Sequence, residues 1–149
     1  MIQAGEGTFY TPATHSEGTK GEALTCRSRH DESRLSDAIR QYPKEAYQMQ
    51  MDGRAVFQFA VKKVPDVIRE VLEKNEVGKE EIDWYILHQA NQRIVEGAAK
   101  RLKEPLEKFP MNLKEYGNTS SASIPILLDE MKKDGRLKSC LLYTSPSPR

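Results

Sequence analysis

Thiols are scarce in this chain. Its 149 residues hold two cysteines, Cys26 and Cys140, far apart and outside any Cys-x-x-Cys or metal-ligand spacing. That pattern argues against a disulfide-built scaffold and a cysteine-ligated metal, and leaves two reduced thiols as the expectation. A surplus of one charge is missing too. The 23 basic and 22 acidic residues leave a net charge of +1, whereas a general nucleic-acid binder carries a basic excess. No apolar run reaches the length of a membrane span, and Met1-Ile2-Gln3-Ala4-Gly5-Glu6 lacks the basic-then-apolar order of a secretory signal. The expectation is a cytoplasmic protein with no metal, no cofactor, no membrane and no nucleic-acid partner.

What remains is enough for one domain with a real core. Apolar residues make up 38% and charged residues 30%, the balance of a soluble α/β or α+β protein. The mean hydropathy of −0.69 is low for a compact domain, so part of the chain is expected to be exposed or loosely ordered. Three stretches separate. Residues 1–45 are an irregular connecting region with short strands, residues 46–138 a patterned domain, and residues 139–149 a tail of different character.

In the first stretch, Phe9-Tyr10 and Ala23–Cys26 read as short strands, and Ser33–Gln41 as a weak helix. In the second, Tyr47–Met51 alternates like a strand, and Asp52 can cap the helix that follows. Val56, Phe57, Ala60, Val61, Val64, Ile68, Val71 and Leu72 recur at helical spacing along it. Pro65 should kink or divide that helix, and Gly78, with Asn75 before it, should end it. Ile82–Leu87 reads as a buried strand running into His88. A helix over about Gln92–Lys103 follows with Asn91 as its cap, then a short strand at Phe109–Leu113. Gly117-Asn118 makes a turn, and Ile124, Leu127, Leu128 and Met131 give one more helical face, closed by Gly135. Leu137 would open a last strand. Strand and helix alternating in this way define an α/β arrangement.

Two residues stand out by position. His88 lies where a buried strand gives way to a helix, and strand ends are where α/β folds place their sites. A histidine there either shuttles or donates a proton, or satisfies a structural hydrogen bond. Asn118 precedes the next helix, and its plain reading is a turn residue or cap. Taken together, both mark strand-to-helix junctions, and two uncharged N–H donors aimed at one point would suit a developing oxyanion.

The run His88-Gln89-Ala90-Asn91-Gln92-Arg93-Ile94, with Tyr116-Gly117-Asn118-Thr119-Ser120-Ser121-Ala122-Ser123-Ile124-Pro125 about thirty residues later, resembles the paired signature of the β-ketoacyl-acyl carrier protein synthase III family. Asp52–Ala60 resembles the helix preceding it in that family, and Asp129–Leu137 the stretch after the second motif. The resemblance covers roughly residues 46–138. It implies an α/β fold that is the C-terminal half of a thiolase-like fold, a mixed sheet packed with helices and incomplete at both ends. It implies an enzyme that condenses acyl-CoA with malonyl-acyl carrier protein to begin fatty acid synthesis. His88 and Asn118 would hold the malonyl thioester carbonyl while carbon dioxide leaves, and the family is homodimeric. Asn91 matches a position near the pantetheine arm, though a helix cap explains it equally well. Arg93 matches a residue that docks the acyl carrier protein. Lys100 and Arg101 share its side of the helix across about 10 Å, a basic stripe that suits an acidic partner or is an ordinary solvated face.

Other features depart from the family. Its nucleophilic cysteine belongs to the N-terminal half, and neither Cys26 nor Cys140 has the surroundings to replace it. Ser145-Pro146-Ser147-Pro148-Arg149 stands where the family has a closing strand and a glycine-rich loop. The expectation is a clipped reading frame with a non-family tail, inactive by itself. Two other readings stand beside it: a non-catalytic carrier-protein-binding remnant, and a related condensing enzyme of a polyketide- or quinolone-type pathway.

Overall fold

Asp52 decides where the long helix starts. Its carboxylate oxygen Oδ1 accepts the N–H groups of Arg54 and Ala55, each at 3.0 Å, supplying partners for two of the donors a helix start leaves open. In the computed structural model, the described residues are 10–26, 49–137 and the backbone of 143–144. The chain divides into two compact units, His15–Ala60 and Met1–Thr14 with Val61–Arg149. Among the described residues, no helix is long and apolar enough to cross a membrane.

In the smaller unit, β1 (Leu24–Thr25) pairs antiparallel with β2 (Gln50–Met51), Leu24 opposite Met51. Asp52 N–H donates to Ala23 O at 2.9 Å, extending the ladder to the helix cap. The Gly18–Ala23 turn before β1 is a short, tight helical segment. Of the expected strand at 47–51, Gln50–Met51 is formed, and Tyr47 and Gln48 lie outside the described residues. So do Phe9 and the expected helix at 33–41, while Tyr10 joins no strand.

Helix α1 runs unbroken over Gly53–Lys74 with Pro65 inside it, so the expected division does not occur. An interior proline costs roughly 3 kcal/mol. Here its ring is buried, on the same helix as buried Ile68, and that apolar packing offsets the lost backbone bond. Nor does Gly78 end α1. Asn75 Nδ2 donates to Val71 O at 2.6 Å, Glu76 turns left-handed at φ 53°, and Val77 N–H reaches back to Leu72 O. This closure satisfies the last carbonyls before Gly78 is reached. Asn75 also exchanges hydrogen bonds with the main chain of Thr11.

The run expected as a buried strand is buried throughout its second half, with Tyr85, Ile86 and Leu87 at most 3% exposed. The ladder itself is shorter. Strand β3 (Trp84–Tyr85) pairs parallel with β4 (Tyr143–Thr144), Trp84 opposite Tyr143. Successive side chains point to opposite faces, and both faces are covered. Tyr85 and Leu87 join Ile68 of α1, Phe109, and Val95, Ala98, Ala99 and Leu102 of helix α2 (Gln92–Leu102). Ile86 joins a second cluster with Leu127 and Met131. Apolar cover on both faces explains a continuous hydrophobic run in place of alternation. Tyr85 also stacks on Phe109, centroids 4.7 Å apart. Gly97 lets α1 and α2 approach, since a Cβ there would meet Val61 Cγ1 at 3.1 Å.

The strand expected at Phe109–Leu113 is instead a turn at Leu106–Lys108 followed by one helical turn, α3 (Leu113–Tyr116). Its main chain finds a side chain where a strand would find a neighbour. Gln89 Oε1 accepts Asn112 N–H at 3.2 Å and Gln89 Nε2 faces Pro110 O at 3.4 Å. Helix α4 (Ser123–Lys133) closes through Gly135 at φ 81°, a conformation glycine adopts without strain. Leu137, expected to open a strand, donates its N–H to Met131 O, and the paired strand falls at Tyr143–Thr144.

Candidate functional site

Pleating puts His88 on the same side of the chain as Ile86, the side that α4 covers. There His88 Nδ1 lies 2.6 Å from Ser123 Oγ. Ser123 opens α4 and is 2% exposed. The N–H of Gln89 donates to the same oxygen at 3.2 Å. One hydroxyl thus ties the end of β3 to the start of α4. His88 is half-buried, and burial lowers its pKa below the ordinary histidine value, opposed by a hydrogen bond with the Ser120 backbone. Burial thus favours the neutral imidazole.

Gln89 locks the junction from the other side. It is fully buried, and Nε2 donates to Leu87 O at 2.9 Å while Oε1 holds Asn112. Asn112 Nδ2 in turn donates to Glu130 of α4 at 2.6 Å. The residues on both sides of His88 are therefore fixed by buried polar bonds, which cost too much to break for the ring to wander.

Asn118 lies in the loop that enters α4. Its Oδ1 accepts the N–H of Ser120 at 2.9 Å, an Asx turn. Gly117 at φ 65°, ψ −157° occupies a region open essentially to glycine alone, and Ser120 is left-handed at φ 55°. Oδ1 is committed to the backbone, and Asn118 is exposed. The structure brings this loop to His88 through two of its members, Ser120 and Ser123.

Asn91 is a helix cap. Its Oδ1 accepts Arg93 N–H at 2.9 Å at the start of α2. Arg93, Lys100 and Arg101 are exposed, opposite the buried face of Val95, Ala98, Ala99 and Leu102. Arg101 also reaches a cavity of about 380 Å³ that Arg69, Lys79 and Lys103 line, and neither His88 nor Asn118 borders it. Among the described residues, no group of three or more His, Cys, Asp or Glu could hold a metal ion.

Ser123 and Gln89 were not singled out from sequence. A signal for Ser123 exists. Of the hydroxyl residues after Asn118, Ser123 alone precedes the buried Leu127 and Met131 by four and eight positions, the inward stripe of α4. Gln89 carries no comparable signal, since a buried glutamine beside a histidine is legible only once its partners are placed.

A short parallel ladder between helices on both faces, with a histidine at its end and an asparagine loop folded against it, is the C-terminal half of a thiolase-like fold. The family described as 3-oxoacyl-[acyl-carrier-protein (ACP)] synthase III C terminal matches residues 72–143. The chain is 44% identical over 124 residues to the β-ketoacyl-[acyl-carrier-protein] synthase III of Microcystis aeruginosa, covering 83% of this chain and 37% of that one. It is 43% identical over 139 residues to that of Streptococcus equi subsp. zooepidemicus, covering 93% and 42%. The crystal structure of 3-oxoacyl-[acyl-carrier-protein] synthase III from Aquifex aeolicus superposes with a TM-score of 0.71 at 37% identity, covering 89% of this chain and 38% of that one. The chain belongs to the 3-oxoacyl-[acyl-carrier-protein] synthase III family, in its C-terminal half. It spans about two fifths of the length of the curated relatives it matches.

Proposed function

We propose that this chain supplies the decarboxylation pair of a condensing enzyme, His88 and Asn118, for the reaction of acyl-CoA with malonyl-acyl carrier protein that begins fatty acid synthesis. The observation that carries the reading is the 2.6 Å contact that ties His88 to Ser123, at the end of the loop that carries Asn118, with burial lowering the ring's pKa. In the malonyl thioester the bond to the carboxylate breaks, carbon dioxide leaves, and the electron pair moves onto the thioester oxygen as an enolate. Two uncharged N–H donors stabilise that oxygen without protonating the carbon, and each such donor is worth roughly 3 kcal/mol, or about 10²-fold in rate. The enolate carbon then attacks an acyl thioester on a cysteine of the N-terminal half, and the cysteine thiolate leaves.

Arg93, Lys100 and Arg101 form the docking face for the acidic carrier protein, steering it by charge. Asn91, its Oδ1 spent on the cap, has its amide to offer the pantetheine arm. The full assembly is a cytoplasmic homodimer that uses no metal or cofactor, and this chain without its partner half does not turn over. The exposed basic face also favours a second reading, a carrier-binding remnant in which His88 and Asn118 are structural.

Mixing the chain with a separately expressed, cysteine-bearing N-terminal half separates the two. Carbon dioxide release from malonyl-acyl carrier protein should fall about 10²-fold or more in His88→Ala and in Asn118→Ala, with carrier binding kept. Equal release from wild type and His88→Ala would leave the carrier-binding reading standing and remove the catalytic one.

A further inference from the structure

We propose that Ser123 is a positioning residue for His88: its hydroxyl donates to Nδ1 and so fixes the ring proton on Nε2. The inference rests on the reading of His88 as a neutral donor and names what makes it one. A serine hydroxyl has one proton to give and two lone pairs to fill. The buried Ser123 Oγ has two polar neighbours among the described residues, the Gln89 N–H at 3.2 Å and His88 Nδ1 at 2.6 Å. The first is a donor and occupies a lone pair. The hydroxyl proton needs an acceptor, because a buried donor left unpaired costs about 1–3 kcal/mol. Nδ1 is the acceptor within reach.

An imidazole that accepts at Nδ1 while neutral carries its proton on Nε2. The position of Ser123 reinforces this state. It opens α4, and the positive end of a helix beside the ring disfavours imidazolium. The site therefore needs no acidic partner to orient its histidine. A carboxylate at Nδ1 would accept a hydrogen bond from Nδ1–H and favour imidazolium, whereas a hydroxyl tied down by the Gln89 amide keeps the ring uncharged.

The test is ¹⁵N NMR of the histidine side chains in this chain, with the His88 signals assigned by their loss in His88→Gln. The wild type should show the Nε2–H tautomer. Ser123→Ala should bring the Nδ1–H tautomer from a trace to a comparable population, and should shift the His88 pKa upward, because a bond specific to the neutral ring is lost. Ser123→Thr keeps the hydroxyl and should keep the wild-type tautomer. If Ser123→Ala does not fold, Ser123→Cys preserves the volume with a weaker donor and should move both readouts the same way. An Nδ1–H tautomer in the wild type, or a His88 pKa that stays or falls on removing the hydroxyl, overturns the inference. Neither readout uses turnover or the other half, so failure here is distinct from failure of the decarboxylation reading.

Discussion

Replacing Gln89 with leucine should destabilise this chain far more than its conservative volume suggests. The side chain fits an apolar surrounding, being fully buried, yet both ends of its amide are used. Leucine would leave Leu87 O without a donor at 2.9 Å and Asn112 N–H without an acceptor at 3.2 Å. The Pro110 contact at 3.4 Å is long and adds little. Each buried group left unpaired costs about 1–3 kcal/mol, partly offset by the apolar gain of leucine, so the net is about 3 kcal/mol. With a urea slope near 2 kcal/mol/M, the midpoint should fall by about 1.5 M with the slope unchanged. Trp84, the one tryptophan, sits in β3 a few residues away and reports the transition by fluorescence. The main-chain bond from Gln89 to Ser123 is untouched by the substitution, so the His88 tautomer should survive in the folded fraction. A midpoint shift of a few tenths molar or less would refute the claim that Gln89 stands in for a strand partner.

Other outcomes follow from single contacts. Gly97→Leu should cost about 2 kcal/mol by forcing α1 from α2 at Val61, read as a lowered thermal midpoint. Asn91→Ala should lose about 1 kcal/mol of cap, and Asn91→Asp should keep it, by the same measurement. Because the folded pKa of His88 lies below its unfolded value near 6.5, the unfolded chain binds the proton first. That contribution to stability is full above pH 6.5 and is lost as pH falls towards the folded pKa. His88→Gln should flatten the slope of stability against pH in that window. Tyr85, pushed up to about 12 by burial and then by the charges of Glu104 and Glu80, should titrate well above the ordinary tyrosine value, read as the ultraviolet difference between wild type and Tyr85→Phe.

Much of this was written in the sequence where the cause is local. Asp52 and Asn91 read as caps because a short polar side chain before an apolar periodic run has few other uses, and both cap. Ile82–Leu87 read as buried because, Asp83 apart, every residue in it is apolar. What escaped was decided by partners distant in the chain. Pro65 predicts a kink or a division, and α1 is not divided, because the apolar cover of its ring is set by how α1 packs. Phe109–Leu113 had the composition of a strand, and a glutamine some twenty residues earlier took its hydrogen bonds instead. The site divided the same way. His88 and Asn118 stood out at element junctions, whereas Ser123 was hidden among look-alike hydroxyls that cap and turn, and its contact with the ring exists only in three dimensions.

The pairing of Trp84 with Tyr143 has a kinetic side. The two strands run parallel, so no hairpin can join them, and α2 and α4 both lie in the chain between them. Closing that loop of about sixty residues before the helices pack costs several kcal/mol of entropy with little to offset it. The helices and their buried polar ties must therefore condense first, and the ladder zips on afterwards as a seal. A chain halted with β4 unpaired would already have His88 and Ser123 in contact, yet would expose the open edge of β3, the template on which a second unfinished chain could pair.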